Sequence, residues 1–287
     1  MLTKQIFTAI LALALASLAC SVNIHVPVVE VKTGAVQTEK ISVPSPQSDV
    51  VDVTLAFGAG EFKLAPGAQK ALIEGTATYN VPEFKPKVKT DGNQVRLEIG
   101  NLKINGIPNF EKTVKNEWDL ELSDQPMDLH ISAGAYQAKV ELGGLALKSL
   151  EVDDGAASVD LKFSEPNLVE MDSLSYETGA STVNLKGLAN ANFRNMTFRS
   201  GAGDYILDFS GDLQRDANVS VSSGISHVAI VIPEGVSAKV TVKEGLSNVE
   251  AQGSWQKSGS EYQLPGSGPS IHFIVDMGMG SLELRNQ

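Results

Sequence analysis

The sequence predicts an all-β chain wound as a parallel β-helix or closely related β-solenoid, with repeats of about 22 residues. Three observations predict it. Glycines recur at near-constant spacing, apolar residues stand at fixed offsets on both sides of each glycine, and long helical charge patterns are missing from a chain rich in Thr, Val, Leu, Ser and Gly.

The glycine frame is clearest at Gly134, Gly155, Gly179, Gly201, Gly224 and Gly245, with gaps of 21, 24, 22, 23 and 21 residues. Five and three positions before them stand Leu129 and Ile131, Leu150 and Val152, Leu174 and Tyr176, Met196 and Phe198, Val219 and Val221, and Val240 and Val242. Four and six positions after them come Ala138 and Val140, Val159 and Leu161, Val183 and Leu185, Tyr205 and Leu207, Val228 and Ile230, and Val249 and Ala251. Alternation with period two on either side of a glycine describes two short strands, each with one buried face, joined by a tight corner. Glycine suits a repeated corner because it needs no side-chain room and can take positive φ. The frame recurs at Gly58, with Val53, Leu55, Phe62 and Leu64, and at Gly278, with Phe273, Val275, Leu282 and Leu284; Gly100 fits in part through Val95, Leu97 and Ile104. Units of this size bury their apolar faces only against neighbours, which is the logic of a stacked solenoid. The competing arrangement is an antiparallel β-sandwich whose hairpins happen to be evenly spaced.

Ahead of this body, Lys4 is followed by an uncharged, largely apolar run from Gln5 to Ala19 that ends in small residues, the layout of a secretory signal. Cys20, the single cysteine of the chain, directly follows Ala16-Ser17-Leu18-Ala19. This segment resembles the lipobox of bacterial lipoproteins, departing from its commonest form at Ser17 and Leu18, and the resemblance implies diacylglycerol on Cys20. From Ser21 to Asp49, Pro27, Pro44, Pro46 and Gly34 break up any long central strand and suggest a tether with a loosely docked short strand from Val26, Val28, Val29, Val31 and Ile41. The expected organisation is a signal peptide at 1–19, a lipidated cysteine and tether at 20–49, an N-terminal β region at 50–128, and a repeat region at 129–287 with a hairpin inserted near 252–269. Trp118 and Trp255 fall in the two stretches that break the frame, as core or cap residues rather than carbohydrate platforms.

Charge and composition exclude several functions. With 34 acidic against 23 basic residues and a formal charge of -11, the chain would be repelled by phosphate backbones, so no nucleic-acid partner is expected. A lone cysteine makes neither an internal disulfide nor a multi-cysteine metal site. Of the four histidines, His25 lies in the tether while His130, His227 and His272 occupy outward phases without metal-ligand spacing, so no metal and no cofactor are expected. Gly58-Ala59-Gly60-Glu61 and Gly201-Ala202-Gly203-Asp204 sit between strands and carry acids where a phosphate loop needs donors. Asp153 and Asp154 precede a corner, and Asp204 and Asp208 share an outward face. The latter pair is the one candidate for the two facing carboxyls of glycan cleavage.

The stretch Leu55-Ala56-Phe57-Gly58-Ala59-Gly60-Glu61-Phe62-Lys63-Leu64, the segment Ala71 to Tyr79, and the repeated corners after residue 129 together resemble known bacterial envelope families. These are the toast-rack N-terminal domain proteins, over roughly residues 50 to 140, and adhesin-like repeat proteins beyond, related in form to the C-terminal β-domain of LiaF-type cell-wall stress proteins. The resemblance implies an envelope-exposed β fold and brings no catalytic residue with it. The function expected is that of a noncatalytic, lipid-anchored extracytoplasmic protein on a bacterial cell surface or in a periplasm, with an adhesin-like or scaffold role. Its expected partners are membrane lipid through Cys20 and another envelope protein or a cell-wall glycan. A polysaccharide-degrading β-helix enzyme and an envelope-stress sensor are the alternatives.

Overall fold

The computed structural model describes residues 28–100, 107–110, 113–243 and 248–287. Cys20, His25, the signal-like segment, Ile104 and Gly245 lie outside the described residues. In chain order the strands are β1 (Val28–Val31), β2 (Gln37–Val43), β3 (Val51–Pro66), β4 (Ile73–Tyr79), β5 (Pro86–Asp91), β6 (Gln94–Ile99), β7 (Ile107–Phe110), β8 (Asn116–Leu122), β9 (Met127–Glu141), β10 (Leu147–Lys162), β11 (Met171–Lys186), β12 (Phe193–Asp208), β13 (Ala217–Ile232), β14 (Ser237–Val242), β15 (Val249–Gln252), β16 (Gln256–Ser258), β17 (Glu261–Leu264) and β18 (Ser270–Asn286). Strands β1 and β7 pair in parallel and form a small unit of their own. All the others belong to one 16-stranded sheet. Among the described residues, no helix is long and apolar enough to cross a membrane.

Strands β9 to β13 follow one another through the sheet as parallel neighbours. Their register repeats the sequence frame: Leu150 lies opposite Leu174, Val152 opposite Tyr176, Val159 opposite Val183, and Leu161 opposite Leu185. Parallel pairing between successive repeats is incompatible with evenly spaced hairpins, so the antiparallel sandwich is overturned and the solenoid stands.

Each long strand bends where it crosses its frame glycine. In β10, Leu150 and Val152 are buried, then Gly155 and Ala156 are both exposed, then Val159 and Leu161 are buried. Two outward residues in succession shift the alternation by one, so both arms turn their apolar face to the same interior. The same pair of exposed residues recurs as Gly134-Ala135, Gly179-Ala180 and Gly201-Ala202. The apolar interior is continuous along the stack, from Phe57, 5.4 Å from Phe62 and 5.3 Å from Trp118, to Phe209, 5.0 Å from Phe273. Trp118 is a core residue, 1% exposed, and Trp255 packs partly buried against the same core.

Space, rather than backbone conformation, requires glycine at most corners. A β-carbon on Gly155 would meet the Gly134 carbonyl oxygen at 2.8 Å, one on Gly179 the Gly155 oxygen at 2.4 Å, one on Gly201 the Gly179 oxygen at 2.6 Å, and one on Gly224 the Gly201 oxygen at 2.6 Å. Gly278 continues the ladder against Gly224 at 2.9 Å, and Gly134 begins it against Gly58 at 3.1 Å. Of these seven, only Gly58 takes a left-handed φ, +83°. Positive φ therefore explains one corner, and the close passage of the neighbouring rung explains the rest.

At both ends, spatial order departs from chain order. Strand β3 lies between β9 on one side and, on the other, a rung made of two pieces: β6 beside its first arm (Val53 opposite Val95, Leu55 opposite Leu97) and β8 beside its second (Phe62 opposite Trp118, Leu64 opposite Leu120). Correspondingly, β18 runs between β13 and a split rung of β14 and β15. The second arm expected after Gly100 thus comes from β8. Val249 and Ala251 belong to the outermost arm and depart from the apolar phase, Val249 half-buried and Ala251 exposed. Antiparallel pieces finish the ends: β5 on β6, β4 and then β2 on β8, and the β16–β17 hairpin on β14. They cover strand edges that would otherwise template association. Strand β2 lies in the stretch read from sequence as a tether with a loosely docked strand; the strand is firmly docked, with Ile41 and Val43 buried because it pairs along β4.

Gly179→Ala is expected to lower stability by about 1–3 kcal/mol, the usual cost of forcing extra volume into a packed site. Gly34→Ala, whose added β-carbon would have its nearest neighbour at 3.7 Å, is expected to stay within about 0.5 kcal/mol of the parent. Urea unfolding of the two variants checks both.

Candidate functional site

In-register parallel pairing brings residues with the same offset side by side, so outward side chains form straight rows with neighbours about 4.8 Å apart. Four residues before the frame glycine, the row runs His130, Glu151, Ser175, Thr197, Ser220 and Ile274. Two residues before it, the row runs Asp153, Glu177, Arg199, Ser222 and Asp276. The chemistry of the surface follows from which side chains these rows juxtapose.

Toward the C-terminal end, the first arm carries a groove of about 470 Å³. Asn195, Asn218, His272 and Lys239 stand across its rungs, with Thr197, Ser220, Ile274 and Thr241 beside them. Asn218 donates to the Asn195 carboxamide oxygen at 3.4 Å, and two rungs of the groove each present an amide and a hydroxyl, while the other two present His272 with Ile274 and Lys239 with Thr241. Ile274, 51% exposed, supplies an apolar patch in the same face.

On the second arm, His227 Nδ1 is 2.7 Å from Ser281 Oγ, and Nε2 is 3.8 Å from Glu283 Oε2. These are the side-chain types of an acyl-transfer triad, but the geometry serves another purpose. Glu283 is held by Arg285 at 2.6 Å and Gln252 at 2.7 Å, and the Arg285 guanidinium keeps its carboxyl below the usual carboxylate range. The amide of Leu282, which follows the serine, donates to the Asn248 carbonyl at 3.0 Å instead of facing an oxyanion. The cluster is a surface polar network.

The sequence-derived carboxylate pair does not assemble either. Asp204 is exposed, lying opposite Thr182 and His227, while Asp208 accepts the Ser210 amide at 2.8 Å. Four strand residues, about 13 Å, separate their Cα atoms, more than the roughly 6.5–9.5 Å between the carboxyls of an inverting pair.

Asp153 and Asp154, read together as corner acids, face opposite ways. Asp154 points into the corner, where its carboxylate accepts Tyr176 OH at 2.7 Å, Tyr136 OH at 3.4 Å and the Thr178 hydroxyl. Thr178 and Ser181 share a 2.6 Å hydrogen bond one rung on, and Ser223 and Ser226 another of 2.6 Å two rungs beyond that. These hydroxyls stand one before and two after the glycine, where the arms diverge and apolar side chains give way to polar closure. Burial pushes the phenols of Tyr136 and Tyr176 well above their ordinary range, and the negative charge of Asp154 adds to it.

Outward, Asp153 Oδ2 lies 3.0 Å from His130 Nε2, and Glu151 completes a group whose ligand atoms lie within 4.8 Å of one another. This is the one set of three metal-ligating side chains brought together among the described residues. Sequence spacing missed it because its members sit on two rungs; the usable signal was that His130 and Glu151 share one offset from their glycines.

Residues 32–173, just under half of the chain, match the family model of the N-terminal domain of toast_rack, DUF2154. Over these residues the chain is similar to the toast-rack family. The match runs from before β2 into the start of β11 and so includes two of the uniform coils as well as the N-terminal cap. Among solved structures, a proposed cell adhesion protein from Clostridium sporogenes is 18% identical, with 88% of this chain and 100% of that chain covered at a TM-score of 0.50. Its likeness supports the shared fold. A proposed adhesin from Parabacteroides distasonis is 10% identical, covering 89% of this chain and 100% of its own, at 0.44. Another from Bacteroides fragilis is 11% identical, covering 88% and 99%, at 0.37. No curated protein matches the chain.

The buried phenols of Tyr136 and Tyr176 make stability fall in alkali. Their raised values favour the protonated form in the folded chain, so the contribution is complete below the ordinary tyrosine pKa of about 10 and is lost as pH climbs above it. Phenolate absorbance is expected to lag for Tyr136 and Tyr176, and also for Tyr79 and Tyr205, whose phenols burial likewise raises, until the β-sheet circular dichroism collapses, and the lagging fraction is expected to shrink in the Tyr136→Phe, Tyr176→Phe double variant. Titration of all five tyrosines at ordinary pH, with the fold intact, would contradict the network.

Proposed function

We propose that this chain is a noncatalytic, adhesin-like protein of the bacterial envelope, displayed on the extracytoplasmic side of a membrane and anchored by lipid on Cys20. The observation that carries the reading is the groove on the first arm, where amides and hydroxyls from three rungs, with His272 of a fourth, are held in register by the parallel sheet. Regularly spaced donors and acceptors complement the hydroxyls of a glycan, and a rigid surface loses little entropy when it binds one. The adhesion-related names of structurally similar proteins, and the toast-rack similarity, favour the same direction.

The proposal is checked with purified chain on panels of cell-wall and cell-surface glycans. Binding of at least one glycan is expected, together with a tenfold or greater loss in the Asn218→Ala, Thr197→Ala double variant at unchanged circular dichroism. No glycan binding, or binding indifferent to the groove, would refute the site. In the producing cell, Cys20→Ser is expected to move the protein out of the membrane fraction; retention there would refute the anchor.

A further inference from the structure

We propose that His130, Glu151 and Asp153 form a surface site for a divalent transition-metal ion of the zinc type. The donor set is one imidazole nitrogen and two carboxylate oxygens, within 4.8 Å of one another. His130 and Glu151 are register partners on neighbouring rungs, and Asp153 follows Glu151 by two residues on the same outward face. Strand β9 is pinned between β3 and β10, and β10 between β9 and β11, so the backbone positions of all three ligands are fixed before any ion arrives.

The local charge balance favours a cation. Glu151 has no ion-pair partner among the described residues, and Asp153 has only His130, which is charged only if protonated. The next acid along the row, Glu177, pairs with Arg199, so that guanidinium is engaged one rung further on. The site is accessible, with side-chain exposures of 36% for His130 and 43% for Asp153. Donors around zinc at about 2.1 Å stand roughly 3.4 Å apart. An ion therefore replaces the His130–Asp153 hydrogen bond of 3.0 Å and draws Glu151 in by side-chain rotation alone. Imidazole nitrogen selects zinc, nickel, cobalt or copper over calcium and magnesium, which take oxygen ligands. Three protein ligands leave the remaining coordination positions facing solvent.

Titration calorimetry of the untagged chain with zinc chloride, after chelator treatment, tests the site. One equivalent is expected to bind. His130→Ala, Asp153→Asn and Glu151→Gln are each expected to weaken binding at least tenfold, with unchanged circular dichroism because all three side chains face solvent. Millimolar calcium or magnesium is expected not to compete, and cobalt to give a visible absorption band that is lost in His130→Ala. The site is overturned by the absence of saturable one-equivalent binding, by full-strength binding in the variants, or by calcium binding that ignores His130. The glycan panel reads Asn218 and Thr197, which lie two or more rungs along the same face from Glu151 and share no side chain with the metal site, so either result stands or falls separately.

Discussion

At each corner that the frame glycines make from Gly134 to Gly278 among the described residues, the carbonyl oxygen of the neighbouring rung's glycine crowds the place where a β-carbon would stand. The approach to that oxygen is between 2.4 and 2.9 Å from Gly155 to Gly278, closer than a side chain tolerates, and 3.1 Å at Gly134, tighter than most side chains meet. This contact fixes the register of one rung on the next. A slip of one residue would push a side chain into the ladder and also turn Leu150, Val152, Val159 and Leu161 out of the core. The apolar interior supplies the driving force, and the glycines decide which stacking that force can select. The straight outward rows, and so the groove and the His130 cluster, are consequences of the same register.

The ends show what a stack of parallel rungs requires in order to stop. Strands β3 and β18 are held on both sides, so the outermost rung at either end is assembled from separate chain segments and then finished by antiparallel pieces. Strand β3 must wait for β9, 76 residues away at Val53 and Leu129, whereas β9 to β13 pair with repeats one coil apart. Low sequence separation in the middle and high separation at the ends favour a central nucleus with later closure at both termini. The corner network of Asp154, Tyr136, Tyr176 and Thr178 lies in that middle, where it adds polar specificity to a corner that the apolar pattern alone leaves unspecified.

Much of this was legible in the chain itself. The offsets of the apolar pairs were readable because burial needs only alternation, and they already contained the shift from odd to even that makes the corner. The need for glycine was readable; its chief cause was not, since the close carbonyl belongs to another rung. The split end rungs were hidden because Trp118 and Leu120 form the second arm of a rung whose first arm is Val95 and Leu97, across an interruption in the frame. The metal-ligating group was hidden for a related reason. His130 and Asp153 are 23 residues apart, a separation set by connector length as much as by ligand geometry. Asp204 and Asp208 illustrate the opposite error, in which residues close in sequence on one strand share a face without converging.

The register between rungs is tested most directly by cross-linking introduced cysteines in a Cys20→Ser background, since the chain has no other thiol. Ser158 and Thr182 are opposed on β10 and β11, and both are exposed. Their Cα atoms are expected about 4.8 Å apart, within the range a disulfide spans. The account predicts rapid oxidation of the Ser158→Cys, Thr182→Cys pair in the folded chain and none for Ser158→Cys with Lys186→Cys, four residues further along the same strand. Cross-linking of the second pair in preference to the first would contradict it.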